Sequence, residues 1–413
     1  MPLARIAWRN VKQRRLQTWI TVVVTAIGLS MAMSAALLAA GLEDGLADAT
    51  KPYGMLVGSK GSAHQLVFNT IYLMDTPLAN LPLSYMRQLE RDERVRRVVP
   101  FAMGDHYQGF RIVGTSGQFF DLRPSPGEAP AFRVADGRRF ERPFEAVIGR
   151  RVARATGLAV GDEFRSGHGV TDRPEESENH ADHPYVVVGV LAESGLPADA
   201  GIFVPLESYW ISHGQHGAAG EAGSAGTGEE GGEKRGVTAL LVEPVSYAHL
   251  MQLYADINRS PLAQAVFPGQ VLAKVYDMIG TGHQALGTVG LLVLVMAVLT
   301  VLLFLYSATL EKRRPIAILR VIGAGRRRIF AMVLAETAVV LALATVLGIA
   351  LTAVFSVAGS WLIGRQSPLA VKPAVSGQAF VALGVVWALG LAAAVAPALA
   401  ACRTEPARHL AAD

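Results

Sequence analysis

Between Arg15 and Glu43 the chain reads LQTWITVVVTAIGLSMAMSAALLAAGL, with no charged side chain in the stretch. A hydrocarbon core of ~30 Å needs about 20 consecutive apolar residues in a helix, so this segment is long enough to cross a bilayer. It is also longer than the ~7–15 residue apolar core of a secretory signal peptide. Ala39 and Ala40 nevertheless imitate the small residues of a cleavage site. Three later segments share this character, and membrane helices are expected at residues 18–40, 284–310, 329–358 and 377–401.

The flanks orient these segments. Arg5, Arg9, Lys12, Arg14 and Arg15 precede the first, and Glu43, Asp44 and Asp48 follow it, which holds residues 1–17 in the cytoplasm. Alternation then places residues 41–283 on the far side as one large domain. Lys312, Arg313, Arg314, Arg320, Arg326, Arg327 and Arg328 crowd the 311–328 connection, and Arg403 and Arg408 mark the 402–413 tail, so both return to the cytoplasm. Only Arg365 and Lys372, in the short outer turn at 359–376, run against the pattern. The expected location is the bacterial cytoplasmic (inner) membrane, crossed several times, with the large domain in the periplasm.

Composition agrees. Of 413 residues, 51% are hydrophobic and 17% charged, and a mean hydropathy of +0.33 is too apolar for a purely soluble protein. The formal charge of +4 is small, and its cations fall in short blocks beside apolar runs. That distribution speaks for membrane orientation and against nucleic acid as a partner. Cys402 is the only cysteine, so no intrachain disulfide can brace an exported domain.

Across 41–283 long apolar runs give way to short alternating ones, the pattern of a soluble α+β domain. Ser84 reads as the cap of an amphipathic helix over Tyr85 to Glu90, followed by strands at 96–100 and 109–113. A unit of similar order recurs late, with a strand at 238–242, a helix at 247–258 and a strand at 264–267. The expected fold is therefore an α-helical membrane protein with four transmembrane helices plus a large periplasmic α+β domain. That domain is read as a split α/β subdomain with a mostly-β subdomain inserted at about 114–236. Residues 214–236 are rich in Gly, Ala, Ser and Glu without apolar periodicity and read as a flexible loop.

Several stretches together resemble the FtsX-like, MacB-like permease superfamily, the transmembrane subunits of type VII ABC transporters. They are Ala7-Trp8-Arg9-Asn10-Val11, then Glu145-Ala146-Val147-Ile148-Gly149, then Val152 to Leu158 and Val160-Gly161-Asp162, then Tyr185 to Leu191 with Ile202 to Leu206. The most specific is Arg313-Arg314-Pro315-Ile316-Ala317-Ile318-Leu319-Arg320-Val321-Ile322-Gly323-Ala324 with Arg326 to Arg328. The resemblance implies a homodimer, or a heterodimer with a related permease, bound to a separate ABC ATPase. ATP and Mg²⁺ would be held by that partner, and its closure transmitted through the membrane to the outer domain. The work done there would be export, lipoprotein or lipid extraction, or envelope signalling. Membrane lipids and a periplasmic adaptor or effector complete the expected partners. The alternative is a membrane-anchored sensor of a metal or ligand without net transport. The chain is not expected to be an enzyme, since it has no G-x-x-x-x-G-K-[ST] loop, no G-x-S-x-G elbow and no H-E-x-x-H motif.

Candidate sites follow. Arg313, Arg314, Arg320, Arg326, Arg327 and Arg328 alternate with Ile316, Ile318, Leu319 and Ile322, giving an apolar stripe on a cationic element. Lying on anionic lipid and docking on the ATPase are both open to it, and the resemblance favours docking. Pro315 stands where the family has an acidic residue, and proline suits the first turn of a helix. Glu336, roughly 12 Å into the third span, should face protein, since an ionisable group costs ~2.5–3.5 kcal/mol at mid-membrane. A structural hydrogen bond and a part in coupling or proton relay both fit it. Nine of the ten histidines lie in 41–283. His168, His180, Asp182, His183, His213 and His216 bracket its least patterned stretches, a suitable ligand set for Zn²⁺, although exposed histidines often meet only water.

Overall fold

The computed structural model describes residues 15–168, 184–214, 236–276, isolated positions between 292 and 307, 325–366, 372–374 and 377–402. The chain divides into a helical unit of Met1–Glu43, Ile279–Leu362 and Val371–Asp413 and a sheet unit of Asp44–Met278 and Ile363–Ala370. The first helix, α1, spans Arg15–Thr50, past the end expected at 40. Beyond the apolar stretch it continues through Leu46 and Ala49, both buried, and the Tyr72 hydroxyl donates to the Leu46 carbonyl at 2.7 Å. A buried partner thus holds the last turns, which belong to the sheet unit.

The sheet unit contains strands β1 (Met55–Ser59), β2 (Leu81–Pro82), β3 (Val95–Tyr107), β4 (Phe110–Thr115), β5 (Val134–Gly137), β6 (Glu145–Ile148), β7 (Glu163–Phe164), β8 (Gly167–His168), β9 (Tyr185–Leu191), β10 (Gly201–Pro205), β11 (Gly236–Val237), β12 (Ala239–Pro244) and β13 (Ala263–Val266). Its helices are α2 (Ala63–Thr70), α3 (Leu83–Glu90), α4 (Arg150–Thr156), α5 (Leu206–Gly214) and α6 (Tyr247–Arg259). One mixed sheet runs β13-β1-β12-β3-β4-β10-β6-β9-β5, with β7 added on β9 and β8 on β3. β10 lies parallel to β4 with Ile202 opposite Ile112, so the strands of the expected insertion continue the first sheet. The physical reason is that β4, buried along almost its whole length, needs a partner on both edges. Ser84 does not cap α3, which opens after Pro82 with no side-chain cap and holds Ser84 inside its first turn. Leu56, Val57, Ile148, Ile202, Val204 and Leu240 are buried at the centre of this sheet, and Phe119 stacks on Phe132 and Phe203 at 4.3 and 4.4 Å.

The remaining helices are α7 (Arg326–Gln366), which belongs to the helical unit as far as Leu362, and α8 (Gly377–Cys402). Among the described residues three helices are long and apolar enough to cross a membrane, Arg15–Thr50, Arg326–Gly364 and Ala379–Ala400. The span expected at 284–310 lies outside the described residues apart from isolated positions. α7 continues through Trp361 and Leu362 to Gln366, past the end expected at 358. Val22 of α1 packs with Val340 and Ala344 of α7 and Ala394 of α8, and Leu29 packs with Leu341 and Val386. Small residues let the backbones approach: a Cβ on Gly348 would lie 3.1 Å from Leu29, and one on Gly390 2.9 Å from Leu341. Trp387 donates to the Thr345 hydroxyl at 3.1 Å. Exposed positions such as Ile20, Val346, Val354, Phe380 and Val381 are apolar, as lipid requires.

Candidate functional site at the basic end of the membrane helices

Arg326, Arg327 and Arg328 form the first turn of α7 and are all exposed. They are helical residues, where the sequence placed them at the end of a connecting segment. The Gly325 carbonyl accepts from Arg328 N at 3.0 Å and starts the helix. No acidic residue stands in that turn. Three cations therefore face the positive end of the helix dipole, each disfavoured by about 0.3–1 kcal/mol until an anion is near. Among the described residues no carboxylate in that turn offsets them, and the cations stand open to an anionic surface.

This end is also fastened. Cys402 Sγ lies 3.3 Å from the Arg326 carbonyl, and Ile329, Val333, Ala398 and Cys402 pack together with Phe330 against them. The first turn of α7 and the last turn of α8 are thus packed against each other. Glu336 lies about 15 Å further along α7 and is 4% exposed. Thr337 beside it is buried and donates to the Val333 carbonyl at 3.0 Å. Arg313, Arg314, Ile316, Ile318, Leu319, Arg320 and Ile322 lie outside the described residues.

Other sequence motifs have structural duties in the sheet unit. The Glu145 carboxylate, 8% exposed, takes both arms of the Arg138 guanidinium and the backbone N–H groups of Glu141 at 2.7 Å and Arg142 at 3.1 Å. Arg138 first, and then these amides, hold Glu145 down to about 2. Any Cβ on Gly149 would lie 2.2 Å from the Asp199 carbonyl oxygen, so only glycine fits there. Gly157 closes α4 in the left-handed conformation at φ 79°. Asp162 folds its own loop by accepting from Ala159 N at 2.8 Å. The buried Asp199 carboxylate accepts from Ser194 N and Gly195 N, while burial pushes its affinity for a proton up. These carboxylates are occupied in shaping loops rather than gathered at a reacting centre.

The profile of the MacB-like periplasmic core domain matches residues 18–252, more than half the chain, and that of the FtsX-like permease C-terminal matches residues 287–406. The chain belongs to the FtsX-like, MacB-like permease family. It is thus an ABC transporter permease-type subunit and a membrane protein with a periplasmic-type domain, in a family whose members are transmembrane subunits and generally not enzymes. Membership implies an ATPase partner. The crystal structure of the extracellular domain of the noncanonic ABC-type transporter YknZ from Gram-positive bacteria is 16% identical. It covers 51% of this chain and 98% of its own, with a TM-score of 0.31. No curated protein matches the chain.

Within the permease, the C-terminal family match takes in both α7 and α8 and so the basic end. Of the candidate metal ligands, His180, Asp182, His183 and His216 lie outside the described residues. His168 and His213 are placed only by backbone, in β8 and α5. Among the described residues no three His, Cys, Asp or Glu side chains group as a metal site. Two features were missed by the sequence reading. Cys402 signalled only the lack of a disulfide, and its contact with Arg326 spans 76 residues, so no local pattern carries it. A basic cleft formed by Arg96, Arg97 and Arg123 with Lys51 also went unseen, although the density of arginines at 91, 94, 96 and 97 was a signal.

Proposed function

We propose that this permease couples ATP hydrolysis in a separate ATPase to conformational change in its sheet unit, through the basic end of α7. The carrying observation is the set of three exposed arginines in a helix-opening turn, where the dipole disfavours them and Cys402 ties the same turn to α8. An acidic surface on the ATPase supplies the missing anion, and a push on that turn moves α7 and α8 together. Two permease chains, either identical or related, act with two ATPases, which hold ATP and Mg²⁺. The output is export, extraction of a lipid or lipoprotein, or envelope signalling.

The test is copurification with an ABC ATPase co-expressed with it from the same organism. The permease alone hydrolyses no ATP, and the pair does. Reversing Arg326, Arg327 and Arg328 to Glu reduces ATPase recovery by about tenfold or more, as loss of several interfacial charge pairs predicts. Unchanged recovery from the triple variant, with the variant present in the membrane at parental level, removes the docking role.

A further inference from the structure

A cleft of about 720 Å³ opens at one end of the large sheet, where β1 and β3 begin and β12 ends. That volume is within the ~300–1,000 Å³ of ordinary ligand sites. Four cations and two carboxylates line it, namely Lys51, Arg96, Arg97 and Arg123 against Asp121 and Glu243. Both carboxylates are taken: Asp121 binds Arg139 at 2.9 Å, and Glu243 accepts from Nε of Arg97 at 2.9 Å and also from its Nη2. Lys51 is paired with Asp48 at 2.6 Å. The positive charge still exceeds the negative, because Arg96 and Arg97 share the single carboxylate of Glu243. Arg96, with its side chain 60% exposed, pairs with Oε1 of Glu243 at 3.6 Å and donates to the Val245 carbonyl at 3.3 Å. Arg123 is exposed and donates to the Glu128 carbonyl, a neutral partner.

Leu250 and Phe267, both half-buried, add apolar contact to the lining, and Pro52, Pro124, Pro126 and Pro244 stiffen its walls. Guanidinium presents a planar fork of donors that matches a carboxylate, and rigid walls spare a ligand the cost of ordering them. An acyl chain needs a continuous apolar slot, whereas this lining interleaves charge with short apolar patches. Alternate side chains of an extended peptide meet that pattern. We propose that the cleft binds an acidic peptide segment of a partner protein, with carboxylates on Arg96 and Arg123 and apolar side chains on the half-buried Leu250 and Phe267.

The experiment uses the full chain in neutral detergent and a fluorescent peptide of alternating Glu and Leu, followed by anisotropy. A peptide with Lys in place of Glu and short-chain phosphatidylglycerol as competitor complete the set. Saturable binding is expected for the acidic peptide alone, weakened by salt as exposed ion pairs are. Arg96→Glu with Arg123→Glu lowers affinity about tenfold, the effect of losing two exposed pairs, with the melting temperature unchanged. Should that variant melt early, Arg96→Gln with Arg123→Gln replaces it and carries the same expectation of weaker binding. The proposal is overturned by no saturable binding, by equal binding of the lysine peptide, by unchanged affinity in the variants, or by displacement with the lipid.

Discussion

Glu145 opens one of the motifs that tie this chain to its family, and its carboxylate closes a turn by binding Arg138 and two backbone amides. Its proton affinity is lowered from 4.5 to about 2, Arg138 being the largest cause. Because the folded value lies below the unfolded one, the stabilisation is complete above 4.5 and is lost as pH falls through about 2. Glu145→Gln should therefore destabilise the detergent-purified chain at neutral pH by about 1–3 kcal/mol, the worth of hydrogen bonds to a charged group. Melting curves of parent and variant should converge as pH approaches 2, and a gap independent of pH would refute the assignment. The motif was legible as a resemblance, but its duty was not. Nothing local in Glu145-Ala146-Val147-Ile148-Gly149 states that Gly149 lies against the Asp199 carbonyl, since that contact depends on the path of the chain fifty residues later.

Helices α7 and α8 were legible from length and hydropathy, and their faces were not. Both are apolar all round, so periodicity cannot say which side meets protein and which meets lipid. The glycines distinguish the two sides. Gly390 faces Leu341, while an added Cβ at Gly384 on the same helix meets nothing within 4 Å. Gly390→Leu should destabilise the purified chain by about 1–3 kcal/mol through overpacking, and Gly384→Leu should leave its melting temperature near the parent's. Equal effects at the two positions would show that Leu341 does not press on Gly390 in the membrane. The ends of these helices were harder to read for a related reason. Trp361 and Leu362 carry α7 beyond the expected span, because helix continues wherever nothing breaks it, whether or not the bilayer has ended.

For the whole molecule, the distribution of positive charge predicts where each segment lies. Reporter fusions after Thr50 and after residue 270 should be active outside the cytoplasm, and fusions after Arg314 and Arg408 inside it. Cytoplasmic activity of the fusion at 270 would overturn the four-span topology. The single large sheet was the least legible feature, since alternation marks a strand without naming its neighbour, and Ile202 opposite Ile112 cannot be read from either segment alone. The same topology governs the order of assembly. Both partners of β1 come from the far end of the sheet unit, Met55 opposite Val242 and Leu56 opposite Val266. A nascent chain emerging from its first membrane segment thus presents an apolar strand with two open edges, and closure must wait until almost the whole unit has been synthesised. During that interval the open edges of β1 can pair with the wrong chain, and a holding chaperone on that side of the membrane would find a substrate there.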